Sequence, residues 1–265
     1  MLCLLVIYCL VFNVVQLPGH QGIFILNVLL SDTGTSVIAV IRGLGIQSKR
    51  FVGVTDDNEN TWFCYVYGLV SRFFWNSALS VLLPLTIDRF LAIVFPFKHK
   101  LWITPTSSII LITLSWIPAT TMVSYRTVIL YYMGNGQMDY MEEYHRCGLV
   151  QYRTEGFEIS NKVFAALAIE MPMAVIVLLY TIMAISVLKS GRSIKKIMRV
   201  SSVVVFTGCL AAIPDSLFAR VDVTMSYEIA QVFTVTFWYL NCVVDPFVYF
   251  YSNPAIRRFV ANLFQ

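Results

Sequence analysis

Charge is scarce in this sequence. Asp, Glu, Lys and Arg make up only 13% of its 265 residues, against about 25% in a soluble domain. With 58% of residues hydrophobic, a water-soluble globule is excluded and a polytopic membrane protein is indicated. The start, MLCLLVIYCLVF, has no basic lead and no small-residue cleavage site, so no cleavable signal peptide is read there. No Asn-x-Ser/Thr sequon occurs. A zinc-binding helix motif, a Gly-rich phosphate loop and a nucleophile motif are all missing. The three histidines, His20, His99 and His145, fall in expected loops on both sides of the membrane and cannot form one site. An enzyme is therefore disfavoured. No internal repeat is visible, which counts against an ion-coupled transporter built from inverted repeats. The net charge of +4 reads as an orientation signal, not as nucleic-acid binding.

What the chain does have is apolar length. A membrane helix takes about 20 apolar residues, so the chain holds seven spans with short loops and no second domain. The expected spans are residues 1–16, 22–46, 62–95, 107–124, 161–188, 198–221 and 227–251. A short amphipathic helix over 254–264 would lie in the interface, with Ile256, Phe259, Val260 and Leu263 on one face and Arg257 and Arg258 on the other. Pro172, Pro214 and Pro246 interrupt the last three spans; such prolines kink helices and leave room for a cavity. The longest loop, 125–160, carries aromatic and β-branched residues on both sides of Gly134-Asn135-Gly136. That pattern predicts a β-hairpin with strands over 127–133 and 137–146, turning at the Gly/Asn step.

The loops also orient the chain. Lys98–Lys100, the basic run from Lys189 to Arg199, and Arg257-Arg258 contain no acid, which places them on the cytoplasmic side. The opposite side mixes Asp56, Asp57, Glu59, Asp139, Glu142 and Glu143 with Lys49, Arg50, Arg126 and Arg146. Of six cysteines, only Cys64 and Cys147 fall on that oxidising side, which argues for a disulfide pinning the long loop to the third span.

The stretch around which the rest is organised is 84–100, PLTIDRFLAIVFPFKHK. Asp88-Arg89 ends a long apolar run, and Pro96 and the cluster Lys98, His99, Lys100 follow. A charge deep in lipid costs several kcal/mol. The pair therefore lies at the cytoplasmic face, with Arg89 held by Asp88, unless the stretch is only a positive stop at a helix end. Asp32, in the middle of the second span, is a further candidate functional acid.

Taken in order, these residues resemble the rhodopsin-like G-protein-coupled receptors over almost the whole chain. Asp88-Arg89-Phe90 resembles the family's Asp-Arg-Tyr motif, and Cys64 stands 25 residues before Arg89, as in the family. Trp116 matches the fourth-helix tryptophan. Pro172 and Tyr180, eight apart, match the fifth helix. Asp32, preceded by Asn27, matches the sodium-pocket acid. Asp245-Pro246-Phe247-Val248-Tyr249 resembles Asn-Pro-x-x-Tyr.

The resemblance implies a seven-helix receptor at the plasma membrane that binds an extracellular ligand and activates a heterotrimeric G protein. It implies coupling roles for Asp88, Arg89, Phe90, Pro96, Phe97, Tyr180, Asp245, Pro246 and Tyr249. It also implies a polar core of Asp32, Asn241 and Asp245 able to take Na+. A ligand would meet Ser71, Arg72, Trp75, Glu170, Asp215 and Arg220. Ser71 stands where amine receptors carry an aspartate, so an amine is disfavoured. The ionisable groups suit a charged ligand such as a peptide, or pair Arg72 with Asp215 or Glu170. The style of 84–100 also resembles nematode chemosensory receptors.

The departures are specific. Ala211-Ala212-Ile213-Pro214 lacks the sixth-helix tryptophan, no acid precedes Lys195 to lock Arg89, and Ala78 replaces a sodium-site serine. Leu4 to Tyr8 resembles family sequence that follows the first-helix asparagine, so a first helix entered midway is expected, from a truncated receptor or an incomplete gene model. A non-signalling remnant is the alternative reading.

Overall fold

A computed structural model describes residues 21–45, 62–133, 136–141, 146–151, 163 and 166–190, with four isolated positions, 236, 240, 244 and 247. The spans expected over 1–16, 198–221 and 227–251 and the interfacial helix over 254–264 lie outside the described residues, isolated positions apart.

The first described helix, α1 (Gln21–Gly45), shows what solvent this chain is written for. Ile23, Leu30 and Val37 recur every seven residues on the outer face, 40%, 55% and 52% exposed. Asn27, Ser31, Asp32 and Thr35 are buried. In water the two faces would be exchanged; lipid as the outer solvent makes polar-in, apolar-out the favourable arrangement. Hydroxyls that cannot reach a neighbouring helix bond back along their own. Thr33 donates to the Leu29 carbonyl, Thr113 to Ile109 and Thr181 to Val177, at 2.7, 2.9 and 2.8 Å.

The long third span is two helices, α2 (Trp62–Ser80) and α3 (Leu82–Val94), separated by a turn at Val81. Pro84 explains the break: it has no N–H to give the carbonyl four residues back, and its ring crowds that turn. The two helices total about 48 Å at 1.5 Å per residue, longer than the hydrocarbon layer of about 30 Å. α3 ends at Phe95 because a residue before proline is pushed out of the helical region. Phe95 sits at φ −128°, ψ 63°, and its N–H bonds Leu91. Pro96 then starts a short helix, α4 (Pro96–Trp102).

Thr104 and Ser107 cap the next helix reciprocally. The Thr104 N–H reaches Ser107 Oγ at 2.8 Å and the Ser107 N–H reaches Thr104 Oγ1 at 3.2 Å. That helix, α5, runs over Pro105–Met133 with Pro118 inside it. This corrects the expected end at 124 and the strand expected over 127–133. No breaker lies between Pro118 and Gly134, and β preference yields to context; the helix therefore runs on to the glycine.

The antiparallel pair lies further on. β1 (Gly136–Met141) pairs with β2 (Arg146–Gln151), Tyr140 opposite Cys147. Gly134-Asn135-Gly136 thus joins helix to strand and is not the turn between strands. Both strands pack on α2.

The last described segment opens with a π-helical turn, Ala166–Glu170, and continues as α6 (Met171–Ser190). Pro172 lacks the N–H and crowds the carbonyl at Ala168, which the wider turn accommodates. Among the described residues, four segments are long and apolar enough to cross a membrane: Gly22–Ile41, Val66–Val94, Pro105–Tyr125 and Ala166–Lys189.

Phe24, Val28, Leu79, Leu82, Leu85 and Ile176 form the shared core of α1, α2, α3 and α6. Higher up, Gly34 lets the Phe74 ring lie against the α1 backbone, where any Cβ would overlap it.

Candidate functional site

Among the described residues, the C-terminal end of the third span carries the densest chemistry. Asp88 and Arg89 are both buried, at 1% and 9% exposure. The pair is thus set inside the bundle, whereas the basic residues that follow it, Lys98 and Lys100, are exposed. The expected Asp88–Arg89 pair is present but loose: Arg89 Nε lies 3.6 Å from Asp88 Oδ2. Neither of those two atoms makes a hydrogen bond among the described residues. The short contact of Asp88 is to His99, whose Nε2 is 2.8 Å from Oδ1.

His99 is thus corrected from a loop residue to a member of α4 and of the site. The break at Phe95-Pro96 folds α4 back against α3 and brings together two residues eleven apart. The available signal was the residue-before-proline rule at Phe95, which predicts the reversal.

α4 buries nothing of its own. It presents Phe97, 89% exposed, and Leu101, 74% exposed, on one face. Lys98 Nζ lies 5.4 Å from the ring centroids of both Phe95 and Trp102, a cation–π placement that keeps its stem along the surface. Phe90 meets Phe95 edge-to-face at 5.8 Å. Phe90 and Tyr180 pack on the same core, Tyr180 from α6 along α3.

A second polar cluster sits at the level of Asp32. Trp116 Nε1 donates to Asn27 Oδ1 at 2.8 Å, and Asn27 Nδ2 donates to the Val81 carbonyl at 3.3 Å. One side chain thus ties α1 to α5 and to the break between α2 and α3. Phe73 stacks on Trp116 at 5.4 Å. Ser31 and Ser77 share a hydrogen bond at 3.1 Å. Ser77 is one residue before Ala78, and its hydroxyl also bonds the Phe74 carbonyl at 2.9 Å.

Asn27→Leu is expected to remove both Asn27 bonds and leave the indole N–H unpaired. Interhelical hydrogen bonds in membranes are worth about 0.6–1.7 kcal/mol. A fall of about 2–6 °C in the melting temperature of the solubilised protein is expected; an unchanged melting temperature would refute the tie.

At the outer end, Ser71, Arg72 and Trp75 are half-buried on α2, and Glu170 is half-buried in the π-helical turn that packs against α2. The Ser71 hydroxyl donates to the Gly68 carbonyl at 3.0 Å. Asp215, Arg220, Asn241, Asp245, Pro246 and Tyr249 lie outside the described residues, as do the side chains of Cys64 and Cys147. Among the described residues no group of three or more His, Cys, Asp or Glu could hold a metal ion.

The family described as 7 transmembrane receptor (rhodopsin family) matches residues 3–249. The chain belongs to that family. No curated protein matches the chain. The receptor is therefore a multi-pass membrane protein of a signalling, non-enzymatic family. Its partners in general are an extracellular ligand and a G protein. Three of the residues that carried the resemblance, Asn27, Trp116 and Asp88, also make polar contacts that tie the described helices together.

Proposed function

We propose that this receptor stands in the plasma membrane, takes a peptide or a chemosensory cue from outside, and activates a heterotrimeric G protein through the Asp88-Arg89-Phe90 end of α3 and the face of α4. The observation that carries this reading is the contrast at one corner: Arg89 is buried and loosely held, while Phe97 one helix away is 89% exposed. An apolar side chain held out of its own protein beside a basic, acid-free surface suits a partner surface. Ligand binding would shift a population already present, freeing Arg89, with Tyr180 and Tyr249 rearranging around the partner. Ser71 in place of an aspartate disfavours a biogenic amine; the half-buried Arg72 and Glu170, with Asp215 and Arg220, suit a charged ligand such as a peptide, and the resemblance of 84–100 to nematode chemosensory receptors supports a chemosensory cue instead. A Cys64–Cys147 disulfide would pin β2 to α2, the helix it packs against.

Asp32, with Asn241 and Asp245, is the polar core in which Na+ would be held. The donors on α2 are poor for it, since Ala78 brings no oxygen and the Ser77 hydroxyl is engaged by Ser31 and Phe74.

The test is surface labelling of an epitope-tagged receptor with a ligand-independent second-messenger readout on the same cells. A surface-expressed receptor is expected to shift the messenger. Phe97→Ala is expected to cut that shift about tenfold, the loss of one buried apolar side chain worth about 1.5–3 kcal/mol, at equal surface level. A surface-expressed receptor that leaves every messenger unmoved would overturn the reading.

A further inference from the structure

We propose that His99 is a positioning residue for Asp88 and Arg89, and that its protonation from the cytoplasmic side sets how firmly α4 is held to α3 and how freely Arg89 meets its partner. The inference rests on the G-protein reading above. Three observations carry it. The only short contact of the Asp88 carboxylate among the described residues is His99 Nε2, at 2.8 Å. The His99 side chain is 25% exposed while that of Asp88 is 1% exposed, so protons reach the ring but water does not reach the carboxylate. Arg89 Nε is 3.6 Å from the same carboxylate, so the two cations compete for one anion.

Histidine is the side chain whose charge changes nearest neutrality. A neutral imidazole gives the carboxylate one N–H; an imidazolium gives the same bond and a full positive charge. Protonation therefore tightens α4 on α3 and lowers the hold of Asp88 on Arg89. Among the described residues, the other charged groups near this corner do not supply the effect. Lys98 lies over Phe95 and Trp102, and Lys100 on α4 and Lys189 on α6 are exposed. Tyr180 of α6 packs on the core. The inner turns of α1 and α5 carry no ionisable side chain from 21 to 31 or from 105 to 124. Among the described residues, Asp88 is the acid that holds Arg89.

The experiment uses the full chain in lipid nanodiscs, without ligand; trifluoromethyl-phenylalanine at Leu101, 74% exposed on α4, is present only in the fluorine samples, and exchange is measured on the unlabelled receptor. The fluorine signal and basal nucleotide exchange on a purified G protein are followed from about pH 8 to about pH 5.5, the range in which histidine titrates. The expected result is a single titration of the fluorine signal that is absent in His99→Gln and His99→Lys. The exchange rate relative to His99→Gln is expected to rise about threefold on acidification, as befits a partly exposed charge pair. His99→Lys, charged throughout, is expected to be high and flat. A titration that survives in His99→Gln, or none in the parent, overturns the proposal. So does a flat exchange ratio beside a His99-dependent titration. Exchange absent from every variant, with the titration still His99-dependent, overturns the G-protein reading and leaves the contact standing.

Discussion

Arg89→Ala is expected to abolish coupling while leaving surface expression within about twofold of the parent. The physical case is an asymmetry between what Arg89 does for the fold and what it offers a partner. Its Nε makes no hydrogen bond among the described residues and its contact with Asp88 is 3.6 Å. Removing it does not strand Asp88, because His99 holds the other carboxylate oxygen at 2.8 Å. The cost to the fold is therefore far below the 3–5 kcal/mol or so of breaking a tight buried pair. A guanidinium offered to a bound partner is different: truncating one side of a buried charged hydrogen bond at an interface costs about 2–5 kcal/mol or more. That is roughly a thirtyfold loss or greater. Arg89→Lys keeps the charge but not the planar fork and is expected to fall between the two. Normal surface labelling with unchanged second-messenger output in Arg89→Ala would show that the corner is not the coupling site.

The parts of this architecture that were legible in the sequence are those where lipid and proline leave few options. Apolar runs about 20 residues long located α1, α2 with α3, α5 and α6, because a bilayer demands internally satisfied backbone over that length. Asn27 and Trp116 were each readable through the resemblance but not as partners; their hydrogen bond at 2.8 Å depends on how α1 and α5 cross, which no single-helix pattern encodes. Asp88-Arg89 was readable as an ionic pair at a span end, and the two side chains do lie 3.6 Å apart.

What escaped the sequence was tertiary. His99 looked like one member of a basic stop cluster, and only the reversal at Phe95-Pro96 returns it to Asp88. The segment 127–133 looked like a strand because Val, Ile and Tyr favour strands, yet it continues α5 to Met133. In a helix already nucleated and capped at Thr104 and Ser107, propagation adds one bond per residue, and that outweighs a strand preference with no partner in place. Ser77 escaped for a simpler reason: the family's sodium-site position falls on Ala78, whereas the hydroxyl facing Ser31 is one residue earlier.

The second large effect concerns Gly34, which no motif singled out. A Cβ built on it would overlap the Phe74 ring, so Gly34 is where α1 and α2 come close enough for an aromatic ring to lie on backbone. Small residues at such crossings are how membrane helices gain contact in place of a hydrophobic drive. Gly34→Val is expected to force the ring out of its site. Overpacking costs about 1–3 kcal/mol, opposed by a gain in helix propensity over glycine of a few tenths. The expected outcome is receptor retained inside the cell, with surface labelling several-fold below the parent. Phe74→Ala alone is expected to leave a void and lower the melting temperature. The two together decide the point: if Gly34 is glycine because of that ring, Gly34→Val with Phe74→Ala is expected to reach the surface better than Gly34→Val alone, a coupling of opposite sign to simple addition. Strictly additive losses would mean that Gly34 is required for its backbone and not for Phe74, and the α1–α2 contact would have to be drawn elsewhere.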